Sequence, residues 1–354
     1  MINFFIPMNL NRCNKPNLDI LYSLRFFAAI TVVLYHFAPS QILIVDFLKI
    51  KSFGYEPVSF FFFLSGFILT HAYGNTQFDG IGEKKQFLFK RLSKLGPVYI
   101  SALVMCSILN FHEFNQTSSF SFRFFLEITM LQSLLFKTSL NFPAWSISCE
   151  LLFYVLFPIL IQRIRIKLIR DKIIIMIVIF SLSISFFNMT KDLISNVQYF
   201  PFIHLHTFII GIISYTVFFS SRHSQILTKY NALIILGAVL LIVFLMSSHV
   251  IVNHNNGWFA LIYFFLIPAF CYNKLLNNVF SNDFFILLGK SSYSLYILQF
   301  PIWLLFNLSL YNIGIEFSNE LFSLFIFFLI VISIISYKLI ENPLDNYFRA
   351  KFIN

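Results

Sequence analysis

Apolar residues along this chain come in long unbroken runs rather than in stripes. Runs of bilayer-crossing length occupy about 20–38, 55–73, 95–111, 145–162, 173–188, 199–219, 230–247, 257–273, 284–306 and 318–340. Each approaches the roughly 20 residues that a helix needs to cross a hydrocarbon core. A transmembrane β-barrel would instead show short strands alternating polar and apolar positions. The pattern predicts an all-α polytopic membrane helix bundle of about ten transmembrane helices. The stretch from about 122 to 137 is apolar at Phe124, Phe125, Leu126, Ile128 and Leu131 but carries Arg123, Glu127 and Lys137, so an amphipathic or re-entrant segment is expected there.

Composition agrees with the pattern. Of 354 residues, 58% are hydrophobic and 11% charged, with a mean hydropathy of +0.79. Soluble domains carry about a quarter charged residues, and disordered chains carry few apolar ones. The net charge of +10 comes from 25 Lys and Arg against 15 Asp and Glu. Placing the N-terminus in the cytoplasm puts nineteen basic residues in inner segments and five in outer ones, with Arg25 inside the first span. That asymmetry predicts both termini cytoplasmic and accounts for the basic charge without nucleic acid. One domain over 1–354 is expected, with short tails at 1–19 and 341–354 and no additional soluble domain; Met1–Leu10 would lie along the membrane surface. The four cysteines are scattered with no metal-like spacing and read as small core residues.

Ionisable groups inside a membrane are costly, so the few present are candidates for function. Arg25 and His36 lie eleven positions apart in the first span. That spacing turns a helix by about 1100° and advances it about 16 Å, leaving both on one face. Glu150, in Trp145-Ser146-Ile147-Ser148-Cys149-Glu150, enters its span from the outer side by about one and a half turns, close to the depth of His36. A carboxylate there would orient the imidazole and strengthen it as a base. A structural ion pair or a protonated carboxyl is the plainer alternative. Ser65 and Gly66 sit in a Phe-rich second span, where small residues let helices approach closely. Arg91 and Lys94 stand three apart on the inner rim, placed to clamp a phosphate-bearing donor or simply to satisfy topology. Tyr296 and Gln299 lie in the ninth run, Gln299 in its outer half, within reach of an acceptor or of His36. His204 and His206 lack acidic or sulfur partners at useful spacing, so no metal is expected.

The order and spacing of these motifs resemble the bacterial membrane-bound acyltransferase family 3, which includes O-antigen and exopolysaccharide O-acetylases. The resemblance rests on Arg25-x10-His36, Phe62-Phe63-Leu64-Ser65-Gly66-Phe67, Trp145-Ser146-Ile147-Ser148-x-Glu150 and Tyr293-Ser294-Leu295-Tyr296, and runs to Ile340-Glu341-Asn342-Pro343. The family often has Arg-x-x-Arg where this chain has Arg91-x-x-Lys94, and often His where Gln299 stands. The resemblance implies a multi-pass protein of the bacterial inner membrane. It implies an acyl-CoA donor, usually acetyl-CoA, bound from the cytoplasm without a metal, and a hydroxyl of a cell-surface or lipid-linked carbohydrate as acceptor. It implies that His36 is catalytic and Arg25 a donor-binding or catalytic partner; Glu150 joins them on the reading from its depth. Donor phosphates would then meet Arg25, Arg91 and Lys94, and the acceptor would meet Ser65, Trp145, Tyr296 and Gln299. Intramembrane Arg, His and Glu also mark transport paths, so a transporter or flippase for a lipid-linked sugar is the competing expectation.

Overall fold

Every one of the ten apolar runs contains a helix, because a chain surrounded by hydrocarbon can satisfy its backbone only within itself. The computed structural model describes residues 18–39, 42, 54, 56–110, 120–135, 139–219, 224–247 and 257–352; the expected surface segment Met1–Leu10 lies outside them. Helix α1 spans Ile20–Phe37, α2 Glu56–Tyr73, α3 Ile81–Leu109, α4 Phe120–Ile128, α5 Trp145–Arg165, α6 Ile169–Thr190 and α7 Pro201–Phe218. Then follow α8 Ser224–Ser247, α9 Phe259–Tyr272, α10 Lys274–Phe280, α11 Asp283–Lys290, α12 Ser292–Asn312, α13 Asn319–Ser336 and α14 Asn342–Phe352. Among the described residues, eight helical segments are long and apolar enough to cross a membrane, or nine if α9 and α10, bent by 79°, form one broken span. Helix α2 falls outside that set because Glu56 and His71 sit at its two ends.

Helix α2 runs through the middle of the bundle with most of its side chains buried. Its closest neighbour is α7, and glycine makes that approach possible. A Cβ on Gly66 would lie 2.1 Å from the Phe208 carbonyl oxygen, and one on Gly211 would lie 2.2 Å from that of Phe63. The packing role expected of Gly66 is therefore reciprocated across the interface. Helices α6 and α8 are apolar all round yet mostly exposed, as helices facing lipid should be.

Four features depart from simple straight spans. The third helix starts at Ile81, well before its apolar run, with Gly80 N–H donating to Glu83 Oε2 at 2.5 Å; a polar amphipathic turn precedes the membrane stretch. The run 284–306 is divided between α11 and α12 at Ser291, where Ser291 and Ser292 donate to the Leu288 and Gly289 carbonyls. The run 318–340 ends in a π-helical turn over Tyr337–Glu341, and residues expected to form a C-terminal tail continue instead as α14. Helix α14 is held to α3 by a Ser93 to Asp345 hydrogen bond of 2.7 Å, and Asp345 is ion-paired to Arg349.

The amphipathic stretch at 122–137 is the short helix α4, which turns back. Leu131 N–H donates to the Leu126 carbonyl and Met130 N–H to that of Glu127, with Met130 left-handed at φ 56°. This is the 6→1, 5→2 pattern that ends many helices. A 3₁₀ turn at Gln132–Leu135 follows, and a second at Phe142–Ala144 leads into α5.

Candidate active site

Arg25 of α1, Arg91 and Lys94 of α3, and Glu150 of α5 meet around one cavity of about 120 Å³. Ser65, Ser146, Tyr154, Tyr293 and Tyr296 line it as well. The sequence separation of these residues is large, but each lies on a helix that packs against α2 or α12, so the bundle converges their side chains. Arg25 and Lys94 also line a second cavity of about 110 Å³ with Lys290, Glu341 and Asp345. The two guanidinium and ammonium groups thus stand between the two spaces.

Local contacts aim each group. The Arg91 guanidinium donates from Nη2 to the Tyr73 hydroxyl at 2.8 Å and lies over the Tyr73 and Phe87 rings, 5.1 and 5.6 Å from their centroids. Flat stacking of this kind fixes a guanidinium in a way no lysine reproduces. Its Nε–H is buried with no acceptor among the described residues. Glu150 accepts a 2.7 Å hydrogen bond from the Tyr154 hydroxyl, which in turn is 3.4 Å from Ser65 Oγ. The Tyr296 hydroxyl lies 2.9 Å from Ser146 Oγ and 3.2 Å from the Pro143 carbonyl. Both residues line the cavity. Glu341, brought inward by the π turn, accepts 2.9 Å from Ser294 Oγ.

His36 is not among the cavity's lining residues. The Phe142 ring stands edge-on to its imidazole at 4.3 Å between centroids. Its Nδ1 is 3.3 Å from Gln299 Oε1, while Gln299 Nε2 donates to the Tyr296 carbonyl at 2.7 Å. The second bond settles which end of the amide is oxygen, so Nδ1 carries the imidazole proton and the ring lone pair is on Nε2. A neutral imidazole of this tautomer can accept a proton from a hydroxyl.

The structure therefore groups the expected residues differently from their depth along the helices. Arg25, Arg91, Lys94, Glu150, Ser65 and Tyr296 come together at the cavity. Glu150 does not reach His36; its partner is Tyr154, four positions on along the same helix face. The expected orienting role at His36 falls to Gln299. Glu150 instead lines the cavity with the cations Arg25, Arg91 and Lys94, while His36 meets Phe142 and Gln299. Trp145 also lies outside the cavity, packed against Tyr199 and His204 at 5.2 and 5.4 Å. His204 bonds the Gln198 carbonyl at 2.8 Å, and His206 neighbours Thr207 Oγ1 at 3.2 Å, so the two rings have separate backgrounds. Tyr73 and Phe142 were not singled out by sequence, and Glu341 entered only within the run Ile340-Glu341-Asn342-Pro343. Tyr154 carried a usable signal, its i,i+4 spacing from Glu150.

Comparison with known proteins places this geometry. An acyltransferase domain matches residues 18–339. The chain is 29% identical over 160 residues to acyltransferase MdmB of Streptomyces mycarofaciens, covering 42% of this chain and 40% of that protein. It is 42% identical over 52 residues to protein 2 in the picA locus of Rhizobium radiobacter, covering 15% of this chain and 27% of that one. The chain thus matches well under half the length of these curated relatives, and no solved structure matches. With the domain match running across nearly all its apolar helices, the chain belongs to the acyltransferase 3 family and is a polytopic helical bundle.

Proposed function

We propose that the protein moves an acetyl group from acetyl-CoA, entering from the cytoplasm, to a hydroxyl of a cell-surface or lipid-linked carbohydrate, and that it does so in the bacterial inner membrane. The observation that carries the reading is the convergence of Arg25, Arg91 and Lys94 on one cavity. Three cations against the single Glu150 carboxylate favour an anionic ligand, and Arg91 Nε offers a donor that no described residue accepts. Arg25, Arg91 and Lys94 hold the donor's phosphates. The thioester end lies toward Tyr296 and Ser146, and the acceptor hydroxyl approaches His36.

His36 Nε2 takes the hydroxyl proton as the oxygen bonds to the thioester carbonyl carbon. The tetrahedral intermediate collapses with cleavage of the carbon–sulfur bond, and the departing thiolate receives the proton from the imidazolium. Gln299 holds the tautomer through both steps. Movement of Tyr296 off Ser146 and Pro143 joins the cavity to the imidazole.

The test compares ester content and mass of surface glycans between wild type and His36→Ala at matched membrane abundance. Loss of the ester with retained acetyl-CoA binding supports the assignment. Unchanged ester content rejects it, and a glycan altered in location but not in mass points to transport instead. Labelled acetyl-CoA added to the purified protein with candidate glycans then reads the donor directly.

A further inference from the structure

The turn-back segment between α3 and α5 is built around a carboxylate that the reaction above does not use. Glu127 is 1% exposed. Its Oε1 accepts 2.7 Å from the Leu140 backbone N–H, and its Oε2 lies 3.3 Å from the Tyr99 hydroxyl, which also donates to the Glu127 carbonyl at 2.7 Å. Gln132 Nε2 sits among four oxygens at 3.2 to 3.4 Å: Tyr99, Glu127, Ser139 and the Ala144 carbonyl. Ser133 adds a 2.8 Å bond to the Trp145 carbonyl. The network therefore reaches from α3 through α4 to both ends of the segment 139–144.

That segment is the one in contact with the imidazole. Asn141 donates to the Ile297 carbonyl on α12 at 3.0 Å, Phe142 covers His36, and Pro143 accepts from Tyr296. A chain of hydrogen bonds and one ring contact thus connects Glu127 to His36 without Glu127 touching the cavity.

We propose that Glu127 is a positioning residue, its carboxylate fixing segment 139–144 so that Phe142 shields and orients His36. Buried on all sides, the carboxyl oxygens meet the Leu140 N–H, the Tyr99 hydroxyl and the Gln132 amide, and removing them leaves those buried groups unsatisfied. The inference rests on the acyltransferase reading only where it names His36 as the base; the shielding itself is measurable without turnover.

The experiment measures carbethoxylation of individual histidines by diethyl pyrocarbonate, followed by mass spectrometry at one pH, on full-length protein in lipid nanodiscs. Glu127→Ala should raise the His36 rate roughly tenfold, the scale of a lost hydrogen bond to a charged group, while His71 and His204 keep their wild-type rates. Phe142→Ala should give the same selective rise. Glu127→Gln keeps an acceptor for Leu140 but faces Gln132 with a second amide nitrogen, so its rise should be smaller; being isosteric, it reports even where the alanine variant does not fold. With acetyl-CoA, these variants should lose turnover while the donor KM stays put. An unchanged His36 rate in a folded Glu127 variant or in Phe142→Ala overturns the proposal, as does an equal rise at all three histidines. Absence of acetyl transfer in wild type would count against the acetyltransferase reading and leave the histidine rates to decide this one.

Discussion

Gln299 Oε1 lies 3.3 Å from Nδ1 of His36, and the same amide is anchored through Nε2 to the Tyr296 carbonyl. Gln299 is fully buried, so it cannot swing to water for an alternative partner. The amide oxygen is thereby placed to accept from Nδ1. Gln299→Leu removes the acceptor, and transfer should fall about a hundredfold, the low end of the range ascribed to general acid–base catalysis. Binding of acetyl-CoA by calorimetry should be unchanged. Transfer at the wild-type rate in Gln299→Leu would disconnect Gln299 from His36.

Arg91 is held flat by Tyr73 and Phe87 with its Nε–H pointing at no described acceptor. If that donor meets a phosphate, Arg91→Ala should raise the acetyl-CoA KM roughly ten- to a hundredfold, as expected for a hydrogen bond between charged groups, with kcat less affected. Arg91→Lys retains the charge but not the fork or the stacking, so it should recover only part of the loss. Equal KM values for wild type and Arg91→Ala would remove Arg91 from the donor site.

Tyr296 lines the cavity and bonds Ser146 and the Pro143 carbonyl. Tyr296→Phe keeps the ring and removes both bonds. Water should then reach the thioester more often, and acceptor-independent hydrolysis of acetyl-CoA should rise relative to transfer. The ratio of free acetate to acetylated product measures this; a ratio equal to wild type would mean the hydroxyl does not seal the site.

The long apolar runs were readable because a bilayer demands length, continuity and an internally bonded backbone at once. The same demand made Arg25, His36 and Glu150 conspicuous. What the sequence did not reveal is direction around each helix. Glu150 and His36 face different partners: Glu150 meets Tyr154 and the cations of the cavity, and His36 meets Gln299 and Phe142. Glu341 was hidden in the same way: a π turn redirects it inward, and no local residue pattern announces one extra residue in a turn. The continuation into α14 escaped because its stability comes from contacts with α3 rather than from its own apolar content.

The α2–α7 crossing should be intolerant of any side chain at its two glycines. A methyl group at position 66 meets the Phe208 carbonyl oxygen and one at 211 meets that of Phe63, both backbone atoms with no rotamer to move. Gly66→Ala should destabilise by about 1–3 kcal/mol, the usual scale of overpacking, and the double variant by more. Thermal midpoints in detergent read this. A midpoint equal to wild type would mean that α2 and α7 separate easily and that the crossing is not a fixed part of the bundle.

Glu127 makes stability depend on pH in a direction opposite to most carboxylates. Burial pushes its pKa up to about 7 from an ordinary 4.5, while the Leu140 N–H, the Tyr99 hydroxyl and Arg123 pull it partway back. The other titratable groups facing it are Tyr99 and Cys106 of α3. Below about pH 4.5 the carboxyl is protonated in both folded and unfolded chains and contributes no pH dependence. Between that point and about 7 the folded chain holds a proton that the unfolded chain has released, so stability falls as pH rises. Across the whole window the loss amounts to about 3 kcal/mol. Above the window both forms are ionised and the curve is flat again. Glu127→Gln has nothing to titrate, so the wild-type thermal midpoint should fall relative to the variant's between pH 5 and 8. Parallel curves would show that Glu127 ionises as readily in the folded protein as in water.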